Sequence, residues 1–104
     1  MGSWGFAPIV TKLTLTGDGV PTKLLGGATC KVWGFVICNT GTTATGVVNI
    51  TSQDGTVVYY KHLLASGETI VVDTKFVADA GIAAFVTGAN FAEIAISFFH
   101  GNIE

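Results

Sequence analysis

Thr45-Gly46-Val47-Val48-Asn49-Ile50-Thr51-Ser52-Gln53-Asp54-Gly55-Thr56-Val57-Val58-Tyr59-Tyr60-Lys61-His62-Leu63-Leu64 decides the fold class. Thr45 to Ser52 alternates, with Val48 and Ile50 inward and Thr45, Asn49 and Thr51 outward. Period two is the signature of a half-buried strand. Asp54-Gly55 is a hairpin signal, because Asp-Gly favours the primed turns that match strand twist. Thr56 to Leu64 then returns as the second strand.

The same period spreads in both directions. Upstream, Ile9, Thr11, Leu13 and Leu15 share one face, and Val10, Lys12, Thr14 and Thr16 the other. Gly17-Asp18-Gly19 turns the chain, and Thr22 to Leu25 forms a short strand. Lys31 to Asn39 is apolar on both sides, with Trp33, Phe35 and Ile37 set against Val32, Val36 and Cys38. That pattern predicts a central strand covered on both faces. Downstream, strands are predicted over Glu68 to Asp73, Lys75 to Val77, Ile82 to Thr87 and Glu93 to His100. In the last of these Ile94, Ile96 and Phe98 oppose Glu93, Ala95 and Ser97, and Phe98-Phe99 puts an aromatic on each face. Seven to nine short strands with Gly-rich turns imply a sandwich or barrel. The expectation is an all-β, single antiparallel β-sandwich over residues 9–104, with the jelly roll as one such arrangement. Residues 1–8 precede it as an extended apolar arm, carrying Trp4, Phe6 and Pro8.

The 104 residues suit one domain. Only 12% are charged, against about 25% in ordinary soluble domains. The net charge is −2, and there is no arginine. Five dispersed lysines without a guanidinium argue against a nucleic-acid partner. No apolar run approaches the roughly 20 residues of a membrane helix. The start, Met1 to Phe6, has neither the basic nor the apolar region of a secretion signal. Cys30 and Cys38 would lie about 26 Å apart on one extended strand, so both are expected as reduced, buried thiols.

Candidate chemistry is sparse. His62 and His100 lack close metal-ligand spacing, so no metal or other cofactor is expected. Asp54, Asp73, Asp79 and Glu93 could pair as acid and base, but Asp54 has a turn role and Asp73 and Asp79 lie near strand ends. No serine sits in a nucleophile elbow. Apolar neighbours suppress thiolate formation at either cysteine. No catalytic residue is assigned, and the chain is expected not to be an enzyme. Trp4, Trp33, Tyr59 and Tyr60 could stack on sugars. Trp33 is placed in the core, and Tyr59 and Tyr60 on opposite faces.

The missing charge points to coverage of the surface by other protein. Trp4, Phe6 and Phe99 are the candidate partner-binding residues.

The stretch Lys31-Val32-Trp33-Gly34-Phe35-Val36-Ile37-Cys38-Asn39-Thr40 resembles a strand of small tailed-phage virion proteins. The Thr-rich strand, the Asp54-Gly55 turn and Leu64-Ala65-Ser66-Gly67-Glu68-Thr69-Ile70-Val71-Val72-Asp73 extend that resemblance over residues 28–100. It implies a β-sandwich that decorates or cements a phage head, located in the virion. The implied partners are copies of itself, as a homo-oligomer and most plausibly a trimer, and a larger assembly such as a capsid. A neck or tail structural protein and a carbohydrate-binding β-sandwich module are the alternatives.

Overall fold

A computed structural model describes residues 9–25, 29–41, 46–88 and 91–103. Among them are nine strands: β1 (Ile9–Leu13), β2 (Thr22–Leu25), β3 (Cys30–Asn39), β4 (Gly46–Thr51), β5 (Val58–Leu64), β6 (Thr69–Val72), β7 (Phe76–Ala78), β8 (Ile82–Thr87) and β9 (Ile94–Ile103). One 3₁₀ turn, Phe91–Glu93, leads into β9. No α-helix occurs among the described residues. The apolar arm, with Trp4 and Phe6, lies outside them.

All pairings are antiparallel, and they nest. β4 pairs with β5, β3 with β6 and β7, β2 with β8, and β1 with β9. The chain is thus one long ribbon with β4 and β5 at its tip. The ribbon curls so that β9 also meets β3 and β8 also meets β4. Two sheets result, in the orders β1-β9-β3-β6 and β2-β8-β4-β5, with β7 continuing the β6 edge along β3. This is the jelly roll, a double-sheet arrangement of nested antiparallel strands.

The core lies between the sheets and repeats the alternation of the sequence. Val32, Phe35, Ile37, Ile94, Ile96 and Phe98 from one sheet meet Val48, Ile50, Ala84 and Val86 from the other, all buried. The Phe35 ring packs against Phe98 at 5.4 Å and edge-on against Tyr60 at 5.2 Å. Such tilted aromatic pairs add to their area burial.

Two bulges change the expected facings. β3 spends one more residue than β9 between Val32 and Gly34. Alternation restarts there, so Cys30, Val32, Phe35 and Ile37 face inward, while Trp33, Val36 and Cys38 are half-buried on the outer side. β3 is therefore not covered on both faces, and Trp33 is not a core residue. Phe85 of β8 is half-buried on the other sheet. The second bulge lies where Ile50 pairs with Tyr60 but Thr51 with Val58. The extra residue is Tyr59. Both tyrosines consequently pack against the core, rather than on opposite faces.

The β4–β5 connection also differs from the expected tight turn. It spans six residues between Thr51 and Val58. The Gly55 N–H donates to the Ser52 carbonyl at 3.0 Å, so Asp54-Gly55 occupies the last two positions of a four-residue turn. Gly55 sits at φ 81°, a conformation that suits glycine. Asp54 Oδ1 accepts from the Thr56 N–H at 3.0 Å, the Ser52 hydroxyl at 2.7 Å and the Thr56 hydroxyl at 2.8 Å. These donors, the Thr56 N–H foremost, lower the Asp54 pKa from the ordinary 3.8 to about 2. A carboxylate held below its unfolded value stabilises the loop above that value and loses the effect as pH falls through the folded one. We therefore expect the Thr56 amide resonance to hold its position at neutral pH and to move as pH falls through about 2. An amide that moves only with global unfolding would show that the carboxylate does not hold this turn.

At the far end of β3, buried Asn39 ties three segments together. Its Oδ1 accepts from the Gly41 N–H at 2.9 Å, and its Nδ2 donates to the Ala65 carbonyl at 3.3 Å. Its own N–H donates to the Glu68 carbonyl at 2.9 Å. The two stretches that carry the family resemblance, Lys31–Thr40 and Leu64–Asp73, are thus adjacent in space, since β6 also pairs with β3 from Phe35 to Cys38.

Candidate functional site

The groups able to do acid–base or nucleophilic chemistry are scattered and already engaged. Asp54 is bound within its own turn. His62 Nε2 lies 3.3 Å from Glu68 Oε1. That carboxylate accepts from the Ala65 N–H at 2.8 Å, and this bond, helped by His62, lowers its pKa. His100 is buried between the sheets. Its Nδ1 lies 2.7 Å from the Gly101 carbonyl and its Nε2 2.8 Å from the Thr11 hydroxyl. A carbonyl can only accept, so Nδ1 carries the proton there. No group of three potential metal ligands occurs among the described residues. Cys30 is buried, and burial raises its pKa. Cys38 is half-exposed, accepting from the Thr69 hydroxyl, which corrects the expectation that both thiols are buried.

The feature that stands out is a surface. The outer side of the β1-β9-β3-β6 sheet carries Val10 and Lys12 from β1, and Ala95, Ser97 and Phe99 from β9. Lys31, Trp33, Val36 and Cys38 follow from β3, then Thr69 and Val71 from β6 and Val77 from β7. Val71 is 69% exposed and Val10 60%. The strands of this face carry Lys12 and Lys31, with Asp73 at the rim and the Lys75 ammonium over Trp33. Exposed strand positions normally hold polar residues, so a continuous apolar strip is informative.

The strip is not flat. Trp33, Gly34, Phe35, Val71, Val72, Asp73 and Phe99 line a groove of about 260 Å³. Its floor is Gly34. A Cβ built there would run into the Val72 carbonyl oxygen, so the position accepts no side chain. Phe99 is the register partner of Gly34 on the neighbouring strand and stands as one wall. Trp33 is another wall, with the Lys75 ammonium 6.0 Å from its ring centroid. Such a geometry falls within cation–π range.

Of the predicted partner-binding residues, Phe99 lies on this face. Trp4 and Phe6 lie outside the described residues. Trp33 and Val71 were missed as residues of the outer face, and Gly34 as the buried floor beside them. The signal was present in Gly34, because an isolated glycine inside a strand marks a bulge or a close backbone approach. A bulge there moves Trp33 outward.

No helix among the described residues is long and apolar enough to cross a membrane. No family model, curated protein or solved structure matches this chain.

Proposed function

We propose that this chain is a structural virion protein that works by protein–protein binding, as a decoration or cement protein on a phage head. The observation that carries the reading is the outer apolar strip, made of exposed Val10 and Val71 with half-buried Phe99 and Trp33 between them. A sheet face of that kind is stable in water when another protein covers it. Three further points support it. The charged fraction is about half the ordinary one. The jelly roll is common among capsid domains, although the architecture by itself assigns no activity. The two stretches that resemble phage virion proteins form one contiguous part of the sandwich. A place in the neck or tail would use the same surface in another lattice. The partners are copies of this chain and a larger protein assembly.

The groove favours one second reading, a carbohydrate-binding module. Trp33 and Phe99 could stack on a pyranose, with Asp73 at the rim accepting hydroxyl protons.

Sedimentation of the chain from about 10 µM to about 1 mM separates these readings. A structural virion protein is expected to shift to multiples of its 10.7 kDa mass within that range. A chain that stays monomeric throughout, and is retarded instead in polysaccharide gels, would replace the virion reading with the carbohydrate one.

A further inference from the structure

Five polar side chains are buried among the described residues, Asn39, Asn49, Thr51, Ser52 and His100. Buried polar groups are normally hydrogen-bonded within the protein. Four of these are: Asn39 to Gly41 and Ala65, Thr51 to the Ser52 carbonyl, Ser52 to Asp54, and His100 to Thr11. The side-chain amide of Asn49 meets no donor or acceptor among the described residues, although the residue is only 9% exposed. Alternation places it on the outer side of the β2-β8-β4-β5 sheet, since Val48 and Ile50 on either side of it are core residues. Its register partners are Phe85 on β8 and Lys61 on β5. One row across three strands therefore holds an aromatic ring, an amide and an ammonium. The neighbouring rows add Val47 with Leu63 and Thr51 with Val58, and both Leu63 and Val58 are exposed.

The charges on this face have one sign. Its strands carry Lys23 and Lys61, both exposed, and no carboxylate. The carboxylates among the described residues, Asp18, Asp54, Glu68, Asp73, Asp79 and Glu93, all lie in turns and links between strands. Lysine on an edge strand is an ordinary guard against strand addition, so the charge alone specifies nothing. Set beside an amide that lacks a partner, it does. The Asn49 NH2 group can donate to one oxygen of a carboxylate while the Lys61 ammonium meets the other, and hydrogen bonds to an ionised group are the strong ones. We infer that the outer face of the β2-β8-β4-β5 sheet takes an extended acidic segment of the larger assembly, its carboxylate on Asn49 and Lys61 and its apolar neighbours against Phe85 and Leu63. The inference rests on the protein-docking reading above and adds a second surface to it. The size of the face agrees. Four strands by six residues measure about 19 by about 20 Å, or about 400 Å². That is about half of what each partner of a stable pair buries, and it is enough for one extended segment. A nucleic acid would call for more than two ammonium groups. A second copy laid face to face would bring lysines to lysines, because the strands of the other sheet carry Lys12 and Lys31 and no carboxylate either.

The test is an NMR titration of the isotope-labelled full chain with a blocked hexapeptide that alternates glutamate with leucine. The same peptide with glutamine for glutamate and a single-stranded octathymidylate are titrated beside it. The Asn49 side-chain NH2 and the backbone amides of Lys61 and Phe85 are expected to shift together and to saturate below about 5 mM glutamate peptide. The glutamine peptide should bind at least about tenfold more weakly, and so should the glutamate peptide to Asn49→Ala. Lys61→Gln, a change at an exposed position, should weaken it about threefold to tenfold. Far-UV circular dichroism checks that both variants are folded. No shift at Asn49, equal binding of the two peptides, or unchanged binding by Lys61→Gln overturns the inference. Tighter binding of the oligonucleotide overturns it in favour of a nucleic-acid partner. Self-association of the parent that Lys61→Gln abolishes overturns it in favour of a second copy. Sedimentation judges the virion reading separately: a chain that self-associates without taking the peptide keeps that reading and loses this face. A chain that is monomeric and retarded in polysaccharide gels loses the reading, whatever the peptide does.

Discussion

Alanine in place of Phe98 is expected to cost about 3–5 kcal/mol of folding stability, the usual range for deleting a buried aromatic. Phe98 has no solvent exposure and sits mid-strand on β9, the strand that joins β1 to β3. Its ring leans on Phe35, which in turn holds Tyr60 of the opposite sheet. Removal therefore opens a cavity at the point where the two sheets touch through three aromatics. Small domains have only about 5–15 kcal/mol in total, so the variant should unfold at a much lower denaturant midpoint. Urea titration followed by circular dichroism measures this. A loss below about 1 kcal/mol would mean that Phe98 does not face the core.

Valine in place of Gly34 should cost about 2–3 kcal/mol, the range for forcing extra atoms into a packed site. The obstacle is backbone rather than side chain. The added Cβ meets the Val72 carbonyl oxygen, which cannot rotate away without loosening the β3–β6 pairing. Val72 is also the last residue of β6, just before the chain breaks and restarts as β7. The strain should therefore open this edge first. Hydrogen exchange is the discriminating measurement, with Val36, Val71 and their neighbours losing protection ahead of the β4–β5 ribbon. Uniform loss of protection, or none, would show that Gly34 is not the point of close approach.

Much of the architecture was legible because period two survives wherever a strand has one wet face. Ile94, Ile96 and Phe98 point inward as their spacing demands, and so do Val48 and Ile50. The strand that misled was the one with too many apolar residues. Lys31 to Asn39 offers hydrophobic side chains to both sides, so its pattern cannot say which side is the core. The bulge at Trp33-Gly34 then shifts the facing within the strand, and a fixed period read through it assigns Trp33 to the interior. Tyr59 was misplaced for the same reason, since an extra residue in β5 brings neighbouring side chains towards one face. Asp54-Gly55 was recognised as a turn, but its type depended on the side-chain bonds from Ser52 and Thr56, which dipeptide preference does not include. Phe99 was found as a surface aromatic from its position after Phe98. The groove beside it was not, because it is lined by residues 33, 71 and 99, which only the pairing of three strands brings together.

The position of β9 between β1 and β3 has a consequence for biosynthesis. A nascent chain that has released everything up to β8 has β1 without its neighbour and the inner edge of β3 bare. Its first sheet cannot close, and the apolar sides of Leu13, Phe35 and Ile37 wait for Ile96 and Phe98 to leave the ribosome. Pairings that span most of the chain form late, because loop closure must be met before they contribute. The first sheet is therefore expected to close only once β9 is available to pair with β1 and β3. Until then the open edge of β3 is a template for any passing strand, so a chain cut before β9 is expected to aggregate.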